Sequence, residues 1–163
     1  MIINSNYANR NIYLDNILHI CDKDWHGVKN AALYSPGHKF LISYLEKDIE
    51  KPIRGILDLA KEYDIEYIFF HSLSPFAELL AINLKRINKN FQINFVGHVN
   101  TTQFIHEFEV DMINRAINLK KKKVFKKLLS VKPNFDKLSK EFEKIKFEKI
   151  DSPSQENKTS NII

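Results

Sequence analysis

The sequence predicts an α/β fold built on a mostly parallel sheet with helices on both faces, and three observations carry that reading. Short runs rich in aromatic and β-branched residues alternate with segments whose apolar residues recur at helical spacing. Those segments run to about ten to fifteen residues, which suits a right-handed crossover between parallel strands. Of 163 residues, 44% are hydrophobic and twelve are Phe, against only four Gly. That mix belongs to a folded domain with enough large side chains to cover both faces of a sheet.

In chain order, Met1–Asn11 is Asn-rich without a period and reads as a loose leader or a frayed first strand. Asn16–Cys21 alternates as a short strand, and Asp22–Gly27 reads as a loop. Ser35-Pro36-Gly37 is a turn signal ahead of a second strand, His38–Leu45. Lys51–Tyr63 reads as a helix. Pro52 falls in its first turn, where no N–H is needed, and Ile53, Ile56, Leu57, Ala60 and Tyr63 share a face. Glu66–His71 is the clearest buried strand. Ser74 as N-cap and Pro75 at the first helical position then open a helix over Pro75–Ile87. Phe91–His98 reads as the fourth strand. From Phe104 to Lys149 the pattern reads as helix in two or three pieces, broken near Val131–Asn134. The expected organisation is a leader over 1–11, one α/β domain over 12–150 with a basic helical C-terminal segment, and a disordered polar tail over 151–163.

Several classes are excluded. No apolar stretch approaches the roughly 20 residues a membrane span needs, and no secretory signal pattern is visible. The single cysteine, Cys21, rules out an internal disulfide framework and a multi-cysteine zinc site, so a cytoplasmic location is expected. Neither GxGxxG nor GxxxxGK[ST] occurs, which removes the usual nucleotide-binding glycine loops.

Ligands of an open parallel sheet bind beyond the carboxyl ends of its strands. Two predicted strands end there in histidine, at His71 and His98. Ser72 and Ser74 follow the first; Asn100, Thr101, Thr102 and Gln103 follow the second. This rim suits a sugar or phosphate, with a histidine as base near neutral pH, and the start of the Pro75 helix offers backbone donors to an anion. His98 is favoured because Gly97 permits close approach. The bland alternative makes each histidine a polar strand stopper bonded to a carbonyl. Asp24 and Trp25, with Asp22 and His26, either line the cleft or form a solvated turn. His106 and Glu109 read as an ordinary helical pair, and no metal-ligand spacing such as HExxH exists, so no metal is expected.

Charge is unevenly spread. Residues 1–112 carry a net charge of −3, residues 113–150 a net +9, and the last thirteen a net −1. The basic run Lys120, Lys121, Lys122, Lys123, Lys126 and Lys127 interleaves with Ile113, Ile117, Val124 and Leu128 at helical spacing. Such a helix either packs its apolar face on the sheet and solvates its lysines, or lies on an anionic bilayer. Nucleic acid is disfavoured, because no aromatic-interleaved basic stripe is present.

The order NILHIC, HKFLISY, YDIEYIFFHSLSPFAELLA and FQINFVGHVNTTQF, over roughly residues 12–135, resembles the amino-terminal half of GT-B glycosyltransferases. The FFHSL segment, its apolar helix and the strand ending in histidine look most like the bacterial 4-α-L-fucosyltransferase type, the TDP-N-acetylfucosamine:lipid II N-acetylfucosaminyltransferases. The resemblance implies a single Rossmann-like half-domain that takes a lipid-linked saccharide acceptor in surface-polysaccharide synthesis. A nucleotide sugar would be the donor substrate, with no further cofactor. His71 and His98 would face the cleft, with Asn100, Thr101 and Thr102 as acceptor contacts, and Lys120–Lys127 would dock on the inner face of the cell membrane. The donor domain of that family has no counterpart in this sequence, so the expectation is a truncated reading frame, a fragment, or a subunit completed by a separate donor-domain chain. Glu148 and Glu156 have the spacing of a glutamate pair found in many glycosyltransferases, but they lie across Ser152-Pro153 in the polar tail. The competing expectation is a non-catalytic α/β module that docks a partner through its basic helix.

Overall fold

The computed structural model describes residues 2–3, 16–98, 107–131 and 147–150. Along the chain these form β1 (Ile2–Ile3), β2 (Ile17–Asp22), α1 (His26–Tyr34), β3 (His38–Ile42), α2 (Glu50–Tyr63) and β4 (Tyr67–His71). There follow α3 (Pro75–Ile87), β5 (Gln92–Gly97), α4 (Glu107–Lys121), β6 (Lys127–Ser130) and β7 (Phe147–Lys149). The strands make one sheet in the order β1-β3-β2-β4-β5-β6-β7. All neighbours are parallel except β1, which runs antiparallel along the edge of β3. The fold is a Rossmann-like α/β unit, as the alternation predicts.

The winding follows from crossover handedness. The chain steps from β2 to β3 in one direction, then passes back over β2 to β4 and continues outward through β5 and β6. A right-handed crossover places α1 on one face and α2, α3 and α4 on the other. The larger core lies under the three helices. There Leu18, Ile20, Ile68, Phe70, Ile93, Phe95 and Leu128 of the sheet meet Ile56 and Leu59 of α2, Leu80 and Leu84 of α3, and Met112 and Ala116 of α4. Gly55 permits the approach of α2, since a Cβ there would stand 2.9 Å from the Phe40 ring. On the α1 face the apolar set is thinner, with Cys21 and Leu41 against Ala32 and, farther along, Val96, Leu129 and Val131. Strand alternation puts His19, Lys39, His71 and Asn94 on this same face, and all four are buried.

Local chemistry explains several boundaries. Ser74 caps α3 by accepting from the Ala77 N–H at 3.1 Å, with Pro75 at the first helical position. Asp64 ends α2 in a left-handed conformation.

The basic segment departs from expectation. Helix α4 stops at Lys121, Lys123 has φ of 62°, and the N–H groups of Lys123 and Val124 bond back to Lys120 and Leu119. This is a Schellman stop, which turns the chain out of the helix. Phe125 then enters the core, and Lys127–Ser130 adds to β5 as strand β6. The apolar run at 128–131 is short enough to satisfy a strand or a helix, and the open edge of β5 decides between them. Two further departures are β7, a strand at Phe147–Lys149 where helix was expected, paired in parallel with β6, and α1, which begins at His26 within the segment expected to be loop.

Candidate functional site

In this strand order the winding reverses at β2, whose neighbours β3 and β4 are reached in opposite directions. The carboxyl ends of β2 and β4 therefore flank the switch point, where the crossing connections diverge and leave a crevice. A cleft of about 260 Å³ lies at this edge, lined by Trp25, His26, Gly27, Val28, Ser72, His98, Phe108 and Glu109. The first four residues start α1, Ser72 follows β4, His98 follows β5, and Phe108 and Glu109 open α4.

Behind His98 runs a chain of imidazoles. His98 Nε2 lies 3.0 Å from His71 Nδ1. His71 Nε2 lies 2.7 Å from His19 Nδ1, and His19 Nε2 lies 3.0 Å from the Pro36 carbonyl oxygen. That carbonyl can only accept, so His19 Nε2 carries a proton and donates it. Burial, together with the charge of Lys39, pushes His19 down to about 3, so its ring is neutral and Nδ1 holds a lone pair. His71 Nε2 must then donate. Burial holds His71 well below the usual histidine range, with the neighbouring imidazoles adding to the effect, so its Nδ1 is an acceptor. His98 Nε2 donates to it in turn. Phe69 stacks on His19 at 5.3 Å between centroids and closes the inner end of the chain.

The cleft has an aromatic side. Trp25 meets Phe108 edge-on at 5.4 Å and stacks with Tyr44 at 6.3 Å, while Phe108 and Tyr44 are about half exposed. Ser72 has φ of 75°, a strained value for a residue with a Cβ. Its N–H bonds to Val96 O and its hydroxyl to Met112 Sδ, and together these contacts hold the conformation. Arg115 of α4 steadies the same turn, donating to Leu73 O at 2.8 Å beside Glu78 at 3.6 Å.

The expected site residues divide. His98, Ser72 and Trp25 line the cleft. His71 does not: only 3% exposed, it stands behind His98 and touches it. Ser74 is committed to capping α3. Asp24 accepts from the Ser43 hydroxyl at 2.9 Å and ties the loop after β2 to the end of β3. Asp22 is buried, accepts from the Asp24 N–H at 2.9 Å, and has its carboxyl pushed up mainly by desolvation. Cys21 is a core residue whose thiol burial pushes up to about 12. Asn100, Thr101, Thr102, Gln103 and His106 lie outside the described residues.

Sequence reasoning missed His19 and Phe108, and it set Glu109 aside as half of an ordinary helical pair. An imidazole inside a buried strand was the available signal for His19, because such a group needs a partner. Among the described residues no three His, Cys, Asp or Glu side chains converge on a metal site. The histidine nitrogens point at one another.

The lysines expected on one helix face are distributed otherwise. Lys120 and Lys121 end α4, Lys122 and Lys123 form the turn, Lys126 precedes β6, and Lys127 opens it beside Glu148 at 3.4 Å. Lys120, Lys123 and Lys126 join Lys85 and Lys89 around a groove of about 530 Å³ at the amino end of β5. Several of these ammoniums are already engaged. Lys85 donates to Lys89 O and Phe91 O, Lys120 to Lys126 O, and Lys126 to Gln92 Oε1. The groove is separated from the cleft by the length of the six-residue strand β5, roughly 20 Å. Among the described residues no helix is long and apolar enough to cross a membrane.

Compared with protein-family models, curated proteins and solved structures, the chain matches none. Its class rests on its own geometry: a Rossmann-like α/β unit with a histidine-backed cleft at the switch point of its sheet.

Proposed function

We propose that this chain is the acceptor-binding half of a glycosyltransferase, which presents a hydroxyl of a lipid-linked saccharide to a nucleotide sugar held by a second unit. The observation that carries the reading is the cleft itself, where His98, backed by two buried imidazoles, faces the Trp25–Phe108 wall. A flat aromatic edge beside convergent polar groups suits a sugar ring, which offers apolar C–H faces and a girdle of hydroxyls. In the transfer, the acceptor oxygen bonds to the sugar's anomeric carbon as the bond from that carbon to the nucleotide phosphate breaks. His98 accepts the hydroxyl proton on Nδ1. Ser72 and Glu109 are the neighbouring hydrogen-bonding groups. Asn100, Thr101 and Thr102 extend the acceptor contacts in the reading drawn from sequence resemblance.

The test is ligand-observed NMR of the full chain with a short-chain polyprenyl-diphosphate saccharide and pooled nucleotide sugars. Saturation transfer to the saccharide is expected, with loss in a folded Trp25→Ala variant. No transfer to the saccharide from a folded wild-type protein would overturn the reading.

A second reading, docking on an anionic surface, is favoured by the groove of five lysines, none of which pairs with a carboxylate among the described residues. Sedimentation with phosphatidylglycerol vesicles, compared with phosphatidylcholine vesicles, tests it. Binding to the former that falls with salt and with Lys89→Glu/Lys123→Glu would support it, and equal retention by both vesicle types would refute it.

A further inference from the structure

The three imidazoles are joined head to tail, and the innermost one ends on a group that cannot reverse its role. Pro36 O accepts only, and the proline ring beside it has no N–H to offer in exchange. If His19 turned its protonated nitrogen toward His71, Nε2 would face the carbonyl with a lone pair against a lone pair. The sense of every bond from Pro36 outward is therefore set at the buried end. The 2.7 and 3.0 Å separations leave no room for a bridging water that could invert it. The inner rings are packed as well as bonded: His19 is stacked on Phe69, and His71 is tilted between its two neighbours. Because both inner rings are buried away from solvent, a positive charge carried inward along the chain would be desolvated there. The chain is consequently poor at moving a proton and good at orienting one.

We propose that His71 and His19 are positioning residues that lock neutral His98 into a single tautomer, with the proton on Nε2 and the lone pair on Nδ1. The consequence for chemistry rests on the glycosyltransferase reading, in which Nδ1 of His98 takes the acceptor proton. The lock itself is a property of the three rings and is measured without substrate. It also explains why a strand-end histidine is backed by two further histidines rather than by a carboxylate. A carboxylate would favour the charged imidazolium, whereas neutral imidazoles orient the ring without that bias.

The experiment is solution NMR of the full chain labelled with ¹⁵N at histidine, near pH 7.5, with resonances assigned by single His→Asn variants. Through-hydrogen-bond nitrogen–nitrogen couplings are expected from His71 Nε2 to His19 Nδ1 and from His98 Nε2 to His71 Nδ1. The two nitrogens of each ring should show the widely split shifts of one fixed tautomer. Couplings of the opposite sense, or their absence together with averaged shifts at His98, would overturn the proposal. The His71→Phe variant should bring the two His98 nitrogen shifts toward an average. His71→Gln, which keeps one donor and one acceptor, should restore the splitting. Unchanged His98 shifts in folded His71→Phe would also overturn the lock, and if that variant does not fold, the wild-type couplings decide alone. Fixed tautomers in a protein that binds no saccharide would leave the lock standing and refute the acceptor reading, so the two failures are distinguishable.

Discussion

When the protein is taken from pH 7 to pH 5, the unfolded chain gains protons on His19 and His71 that the folded chain does not take up. A histidine whose folded pKa is depressed contributes stability above its unfolded value of about 6.5, and that contribution is lost as the pH falls toward the folded value. For His19 the window runs from 6.5 down to about 3. For His71 it likewise opens at 6.5 and extends well below it. Each unmatched proton costs about 1.4 kcal/mol per pH unit once the unfolded imidazole is fully charged, so for His19 the descent from pH 7 to pH 5 removes about 2 kcal/mol. His71 adds to the loss in the same direction, against the ~5–15 kcal/mol that holds a typical domain folded. Urea unfolding at pH 7, 6 and 5 reads this directly, with wild type compared with His19→Phe. The variant is less stable at pH 7, because Pro36 O and His71 Nε2 lose their partner. Its acid slope should nevertheless be shallower than that of wild type by about one proton, while carboxylates shared by both proteins cancel in the comparison. Equal slopes, or a wild type whose stability is flat from pH 7 to pH 5, would refute the reasoning that these rings are buried and neutral.

Three further outcomes follow from local geometry. Lys123 holds φ of 62° at the Schellman stop, so Lys123→Gly should stabilise the protein by about 0.5–1 kcal/mol, checked as a rise in the urea midpoint with an unchanged slope. Ser74→Ala removes the side-chain acceptor for the Ala77 N–H and should lower stability by about 1 kcal/mol in the same assay; no change would mean that this cap contributes nothing. Gly55→Ala improves helix propensity yet drives a methyl to 2.9 Å from the Phe40 ring, so a net loss of about 1–3 kcal/mol is expected, read as a lower melting temperature.

What could be read from the chain in one dimension depended on whether the signal was local. Helix α3 has the bounds expected of it because Ser74, Pro75 and a continuous apolar face act within a few residues of one another. Strands β4 and β5 were legible for the same reason: their runs are too short and too rich in aromatic and β-branched residues to be surface helix. Strand β6 was not legible, since Leu128, Leu129 and Val131 suit either period and only the unpaired edge of β5 selects one. Nor was α1, which starts without a side-chain cap and has no acidic residue in its first turn. Of the cleft, His98 and Ser72 could be placed at strand ends, and Trp25 in the loop after β2.

The sequence by itself determined the α/β class, the main crossover elements and the places of His71, Ser72 and His98 at strand ends, because hydrophobic periodicity, capping and turn residues are short-range properties. Only the tertiary structure decided that His71 stands behind His98, that His19 joins them, and that the lysines gather at the opposite edge. His19 and His71 are separated by 52 positions, and His71 and His98 by 27. Their contact is made by strand order and by the diagonal offset between β2 and β4, which places Cys21 opposite His71 and His19 opposite Phe69. No local pattern encodes that pairing. It arises when the crossovers close the sheet and the buried imidazoles, excluded from water, can satisfy their nitrogens only on one another and on Pro36.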